Sequence, residues 1–493
     1  MRTRYLVCVV LFAAACGKKA EEKKAPEAAP KMVEQKPKEP AASARLPVTT
    51  KSPEAKAEYE KAHELMTNLH REEARQHYKK ALELDPDFAF ALAELGVMTP
   101  GSEGTDLVTK AGTAAAKLSD GEKAFVDVAQ AMKAGDRTKA LQSLDKVMQA
   151  APGQWEADVQ AANIANMAGD PATAIAHANH ALSVNKDLPQ AHNLLAYAYA
   201  NQRDWDKAIA AAQKQVELLP KEPNPADTLG EIQLAAGKFE DSEKSFQKAL
   251  EIDPKFNDSW QGVALTRAYR GDFKGAYEAL DKEMTSTEPG VKHDAMIDKA
   301  WLQFADNKLP DALKTLDAVE KDDAAKKLPV YAFAQLDRGH ILVEAGKYAD
   351  ATKAFAEAAK RSDALAGDAK RNLMNGYRLG LLRASALQGK ASPDAAKLVA
   401  DAEAQEKASP DSKQEQDLLA YAHGLAAWAD KGPKAALDEL GKCTPQMIIC
   451  RHDLATAMRK AGDKAGAEAI DKQIAETPRR EAPDVYVRTH PSK

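Results

Sequence analysis

Small and apolar residues recur along this chain in fixed columns, with polar and charged residues between them. From residue 121 to 288 the columns repeat every 34 residues. One reads Gly135, Gly169, Arg203, Gly237, Gly271. Five positions later a small residue stands at Ala140, Ala174, Ala208, Ser242 and Ala276. A third column, rich in proline, closes each unit at Pro152, Lys186, Pro220, Pro254 and Glu288. A period of this length marks stacked supersecondary units. Glycine supplies the positive φ that ends a first helix, and proline cannot continue a second. Small residues let helices approach closely and larger ones fill the space between units. The pattern predicts an all-α chain of antiparallel helix pairs.

The pattern begins near Pro53, where Ser52-Pro53-Glu54 has the order of a helix cap and first turn. Ala74, Tyr78, Ala81 and Pro86 form the second half of a unit. Leu92, Leu95 and Gly96 open the next, followed by an enlarged turn over Thr99–Gly104 and a helix near 105–118. Beyond 290 the register drifts. Ala312 and Leu316 mark one unit; Gly339, Gly346, Ala351 and Phe355 a clearer one; Gly389 a looser one within 366–410. Gly424, Ala436 and Leu440 mark another, and Leu454, Ala455, Gly462 and Ala467 the last, ending at Pro478. The expected organisation is a solenoid over 53–290, strongest at 121–288, and divergent repeats over 291–478. Whether the drift also marks a break between two superhelical blocks, near 290 or 366, is left open by the sequence, and residues 479–493 are expected to be a frayed tail.

Leu195-Ala196, Tyr199, Ala208 and Pro220 in one unit carry a recognisable set. So do Leu229-Gly230, Gly237, Ser242, Phe246, Ala249 and Pro254 in the next, and Trp260, Ala264, Gly271 and Ala276 in the one after. These residues resemble the tetratricopeptide repeat (TPR) family. The resemblance implies a right-handed superhelical solenoid of about twelve units, whose first helices line a concave groove that takes partner peptides. Aligned on the strong units, that side holds Glu156, Val159, Asn163 and Asn166, then Gln190, Asn193, Tyr197 and Asn201. Asn224, Asp227, Glu231, Asp258 and Gln261 follow. An asparagine amide offers a donor and an acceptor to an extended backbone. Tyr197 and Tyr269 offer packing surface. The lysines that clamp a free carboxylate in one TPR subfamily are missing from these positions. The acidic members favour a neutral or basic segment. The alternative is that these polar residues only solvate an exposed face.

The first residues change the picture. Arg2 and Arg4 precede an apolar run, Leu6 to Ala15, too short to span a bilayer as a stable helix. Residues 1–15 read as a signal peptide. Ala13-Ala14-Ala15-Cys16-Gly17 resembles the lipobox of bacterial lipoproteins, although leucine is commoner than alanine at the position of Ala13. The resemblance implies acylation of Cys16 and a membrane anchor through that lipid alone. An ordinary signal peptide that happens to contain a cysteine is the alternative. Gly17, Lys18 and Lys19 follow the cysteine, and no aspartate stands there to resemble the inner-membrane retention signal of enteric bacteria, so the resemblance favours the outer membrane, with the folded body in the periplasm. Residues 16–52 are rich in Lys, Glu, Ala and Pro, with too few large apolar side chains to repay ordering. They are expected to form a disordered tether with an r.m.s. reach of about 30–35 Å.

Of 493 residues, 44% are hydrophobic, 29% charged and only 6% aromatic, a soluble helical composition. The net charge of −5 comes from interleaved signs, without the basic patch that nucleic acid requires. Cys8 lies in the signal peptide and Cys16 in the lipobox, which leaves Cys443 and Cys450. The Thr444-Pro445 turn would bring these two within disulfide reach in an exported protein, with two buried thiols as the alternative. His177 and His180 share a helix face but lack a third metal ligand. No phosphate loop, Gly-x-Ser-x-Gly, calcium loop or His-Glu-x-x-His is present, so no catalytic residue, metal or cofactor is assigned. The sequence thus predicts an envelope scaffold for protein or peptide partners that assists assembly or stability of a larger complex. A structural subunit that associates through its outer face, with itself or one obligate partner, is the second reading. A helical hydrolase or carbohydrate-active enzyme is the third. The oligomeric state stays open.

Overall fold

A computed structural model of the protein describes residues 45–490 apart from 68–70, 323–324, 366, 392–393, 409–412 and 477–478. The expected signal peptide, Cys16 and most of the expected tether therefore lie outside the described residues. The described residues contain helices and no strand, and they divide into two compact units between Pro220 and Lys221. Among them, no helix is long and apolar enough to cross a membrane.

The unit that ends at Pro220 has five helix pairs: Pro53–Thr67 with Arg71–Leu84, Ala89–Met98 with Gly101–Ala115, Asp120–Ala134 with Arg137–Ala150, Trp155–Ala168 with Pro171–Val184, and Pro189–Asn201 with Trp205–Leu218. The unit that begins at Lys221 has seven. They are Pro223–Ala235 with Phe239–Ile252, Asn257–Tyr269 with Phe273–Glu283, Pro289–Ala305 with Leu309–Lys321, Val330–Glu344 with Tyr348–Lys360, Gly367–Gln388 with Ala395–Ala408, Lys413–Lys431 with a 3-10 turn and Leu437–Leu440, and Ile448–Ala461 with Lys464–Ala475. A last helix, Ala482–Thr489, has no partner of its own.

The glycine column is a column of backbone conformation. Gly135, Gly169, Arg203, Gly237 and Gly271 all have positive φ, and so do Asn307, Gly346, Gly389, Gly432 and Gly462 in the drifting region. At most of these turns the next residue's N–H returns to the carbonyl five positions back: Asp136 to Ala131, Asp170 to Ala165, Asp204 to Tyr199 and Asp272 to Arg267, each at 2.9 Å. This is the Schellman closure, which satisfies the last carbonyls of the first helix. An aspartate placed there then caps the second helix. Asp136, Asp170, Asp204, Asp272 and Asp463 accept from the backbone N–H three residues on. One dipeptide thus stops one helix and starts the next, which sets the antiparallel turn. After 290 a residue of positive φ still ends each first helix, but several of these helices are longer, notably Pro289–Ala305, Gly367–Gln388 and Lys413–Lys431, so the spacing drifts.

The small column is fully buried, with Ala140, Ala174, Ala208, Ser242 and Ala276 at 0% exposure. Ser242 meets the cost of a buried hydroxyl by donating to the Gly230 carbonyl at 2.8 Å. Phe246, also fully buried, lies so close to Gly230 and Gly262 that a Cβ on either would sit 2.8 and 2.5 Å from its ring. Phe355 is held in the same way by Gly339 and Gly380.

Buried charge links four first helices of the second unit. Arg383 reaches Asp453 through Nε and Nη2 at 2.7 and 2.8 Å, and its Nη1 lies 2.7 Å from Glu344. Tyr421 donates to Asp453 at 2.6 Å. Burial alone would raise the Asp453 pKa, but Arg383 and His452 beside it hold the carboxyl well below its ordinary range.

Two expectations change, and one open question has an answer. The enlarged turn at 99–104 is short: Gly101, at φ 74°, reverses the chain after Pro100, and the second helix begins there. Gly96 and Gly104 have no side chains, so the two backbones can pack directly. The division between units falls at 220–221, within the strongest repeats rather than at 290 or 366. Residues 479–490 are not frayed. Ala482, Val485 and Val487 are buried and Tyr486 stacks on Phe304, with ring centroids 4.5 Å apart.

Candidate functional site

First helices of neighbouring pairs touch one another, and polar side chains join them. Asn166 donates to the Leu194 carbonyl at 3.0 Å. In the second unit Ser259 donates to Asp227 at 2.7 Å, Gln261 to Asp298 at 2.7 Å and the Trp301 indole to Asp337 at 2.9 Å. Several residues that the sequence assigned to a ligand therefore serve the solenoid. Asn166 is one. Asn193 is another, since its amide donates to Gln215 on the second helix of its own pair at 3.2 Å. Asn163 and Asn224 are exposed, and Tyr197 is half-buried. His177 and His180 both meet the buried Asp158 carboxylate through Nδ1, at 2.9 and 2.7 Å, and so bolt the second helix of that pair to the first. Among the described residues no group of three His, Cys, Asp or Glu could hold a metal ion. Cys443 and Cys450 are joined by a disulfide with a Cα–Cα distance of 6.5 Å. It ties the end of the eleventh pair to the first helix of the twelfth.

Asp227 and Glu231 form the acidic edge of the second unit's first-helix face, and an arginine fills it. Arg480 grips Asp227 with two bonds, Nη1 to Oδ2 at 2.8 Å and Nη2 to Oδ1 at 3.1 Å. Its Nη2 also donates to the Asp258 carbonyl, and Glu231 lies 3.9 Å from Nη1. The guanidinium sits 4.9 Å over the Phe246 ring. Burial opposes its charge, but Asp227 and Glu231 outweigh that and raise its pKa. Planar, bidentate pairing of this kind is the strong form of an ion pair. Beside it the Tyr269 hydroxyl donates to the Arg479 carbonyl at 2.7 Å, and the Arg488 guanidinium lies 5.1 Å from the Tyr269 ring. The Asp484 carboxyl, on the same segment, is buried and raised to about 7, because desolvation outweighs the attraction of Arg479. Sequence reasoning named Asp227 and Glu231 but missed Arg480 and its helix. The available signal was Ala482-Pro483 opening an apolar run, Val485-Tyr486-Val487, behind two arginines.

The first unit repeats this chemistry. Arg45, just ahead of the first helix, pairs with Glu156 and lies 5.9 Å over the Trp155 ring. The next residue's N–H, from the buried Leu46, donates to Gln154 at 3.2 Å. Farther along, Thr50 donates to Asp85 at 2.6 Å and steadies the lead-in chain. Near Glu156 lies Glu94, whose carboxyl burial and the Glu156 charge raise to about 7. His63, 4.0 Å from Glu94, is lowered to about 4 by burial and by Arg45. Gln190 donates to the Met66 carbonyl, so it too is engaged within the protein.

Comparison with known proteins adds the following. Family models described as tetratricopeptide repeat match residues 55–88, 168–223, 227–256 and 297–369. The chain is 28% identical over 167 residues to the Hsp70-Hsp90 organizing protein 1 of Glycine max, covering 32% of this chain and 27% of that one. It is 28% identical over 125 residues to the heat-shock protein cognate co-chaperone sgt12 of Aspergillus fumigatus, covering 25% and 36%. The chain thus spans about a quarter to a third of the length of these relatives. Among solved structures it is similar to a tetratricopeptide repeat protein from Parabacteroides merdae, at 18% identity and a TM-score of 0.38, over 52% of this chain and 98% of that one.

Proposed function

We propose that this protein is a scaffold of the bacterial cell envelope that holds protein or peptide segments on its first-helix faces. A lipid on Cys16 tethers it to the outer membrane, its folded body stands in the periplasm, and it assists assembly or stability of an envelope complex. The observation that supports this most directly is the second unit's first-helix face, which holds residues 479–490 through paired charges, aromatic stacking and main-chain bonds. A surface that holds one segment in this way has the donors, acceptors and rings needed to hold another. The outer-face alternative has less behind it. Among the described residues the exposed large apolar side chains are Leu84, Val97, Met167 and Val184, single side chains of the kind ordinary surfaces carry.

The test is crosslinking of the lipidated protein in its own envelope. Wild type is compared with a variant carrying Asn163→Ala, Tyr197→Ala and Asn224→Ala, each on a first helix. One defined protein, recovered with wild type and lost with the variant, is the expected result. Recovery of the same partner by the variant would move the site off these faces, and recovery of none would end the scaffold reading.

A further inference from the structure

Residues 479–490 stand outside the pairing that builds the rest of the chain. The twelfth pair closes at Ala475, and the helix Ala482–Thr489 lies across first helices far away in sequence. Its contacts are those of a bound ligand: a bidentate arginine on Asp227, a cation over Phe246, and a ring stacked on Phe304. The fit is incomplete. Arg480 Nε and Arg488 Nη1 are buried without a hydrogen-bond partner, and Asp484 Oδ2 has only a 3.6 Å ion pair with Arg479 Nε. Unmatched polar atoms of this kind cost free energy that a better-matched ligand would not lose.

We propose that residues 479–490 are a built-in occupant of this face, displaced by a segment of a partner protein that carries an arginine and a neighbouring aromatic. The inference rests on the scaffold reading and names its partner class. The requirement for arginine follows from the edge itself. Asp227 is 6% exposed with Arg480 in place, and withdrawing the arginine leaves its carboxylate with Ser259 but without its cation. Opening alone is therefore unfavourable, because a bidentate charge pair is broken with nothing to replace it. Exchange of one arginine for another leaves the count of charge pairs unchanged, so it proceeds where simple opening does not. The first unit shows the same preference, with Arg45 on Glu156 and over Trp155. A lysine replaces this chemistry poorly, since it has neither the planar fork nor the stacking surface.

The experiment uses the full chain and a fluorescent synthetic peptide with the sequence of residues 479–490, followed by anisotropy. Wild type, Arg480→Ala and the double variant Arg480→Ala/Asp227→Asn are compared, each checked for native circular dichroism. The Arg480→Ala chain is expected to bind the peptide at least about ten-fold more tightly than wild type, in line with the worth of a buried arginine–carboxylate pair. Adding Asp227→Asn, or replacing the peptide's own Arg480 equivalent by alanine, is expected to remove that gain. Equal binding by wild type and Arg480→Ala overturns the proposal. If Arg480→Ala does not fold, wild type decides by hydrogen exchange. Excess peptide should speed exchange of the amides of 482–489, and unchanged rates overturn the proposal. If this fails while crosslinking still recovers a face-dependent partner, the scaffold reading stands without it. If both fail, neither stands.

Discussion

Arg203 and Asn307 occupy turns where the other repeats carry glycine, at φ 59° and 60°. A Cβ in this region crowds the following carbonyl at a cost of about 1–2 kcal/mol, a cost that asparagine partly escapes through its short polar side chain. Arg203→Gly is therefore expected to stabilise the protein by about 1 kcal/mol, and Asn307→Gly to be nearly neutral. Urea unfolding of the two variants checks the contrast. Glu94 and His63 make a second prediction at this scale. The folded pKa of Glu94, about 7, lies above its ordinary 4.5. Its protonated form thus favours the fold below pH 4.5, and that contribution is lost as pH rises through 7. His63, lowered from 6.5 to about 4, has the opposite slope: it costs stability as pH falls from 6.5 towards 4. Glu94→Gln removes only the first dependence. Relative to wild type the variant should gain up to about 3 kcal/mol between pH 4.5 and pH 8. Denaturant midpoints at the two pH values measure it. A difference that does not change with pH would show that Glu94 titrates alike in the folded and the unfolded chain.

At the scale of helices, close approach depends on the absence of side chains at chosen points. Phe246 fills the space between two first helices only because Gly230 and Gly262 leave room for its ring. Gly262→Ala would place a methyl 2.5 Å from that ring. Overpacking of this kind typically costs about 1–3 kcal/mol, and here it outweighs the gain in helix propensity from glycine to alanine, about 1 kcal/mol. The variant should unfold at a lower denaturant concentration. A second change, Phe246→Leu, should restore part of the loss by vacating the space. Its partial rescue distinguishes a ring clash from a general intolerance of the helix.

For the whole molecule, attachment is the first question. If the lipid on Cys16 is the only anchor, Cys16→Ala should move the protein from the membrane fraction to the soluble fraction without changing its unfolding midpoint. The reason is that the tether has little apolar surface to contribute to the folded body. Fractionation together with thermal unfolding checks both halves. A variant that stays with the membrane would mean that the folded body itself holds it there.

The local signals were strong enough in the sequence to define the repeating unit. Glycine at the turn, a small residue on the second helix and proline at the unit's end each act within a few residues of where they stand, so a 34-residue period reveals them without any knowledge of the fold. The aspartate after the turn glycine is an equally local signal, and the turn it helps set persists after 290, where the spacing no longer reveals it. Which polar residues face a ligand was not legible in this way. Asn166 and Asn193 have the type and register of groove residues, yet the structure spends their amides on Leu194 and Gln215. Whether a donor is free depends on the neighbouring helix, not on its own. The docking of Arg480 on Asp227 joins positions more than 250 residues apart. No periodicity links such positions, and only the path of the second unit's helices brings them together. The sequence alone determined that this chain is a stack of about twelve helix pairs, because caps, turns and small-residue packing are local. The tertiary structure decided where the stack divides, which side chains its joints consume and what already lies on the second unit's first-helix face, because those are matters of long-range contact.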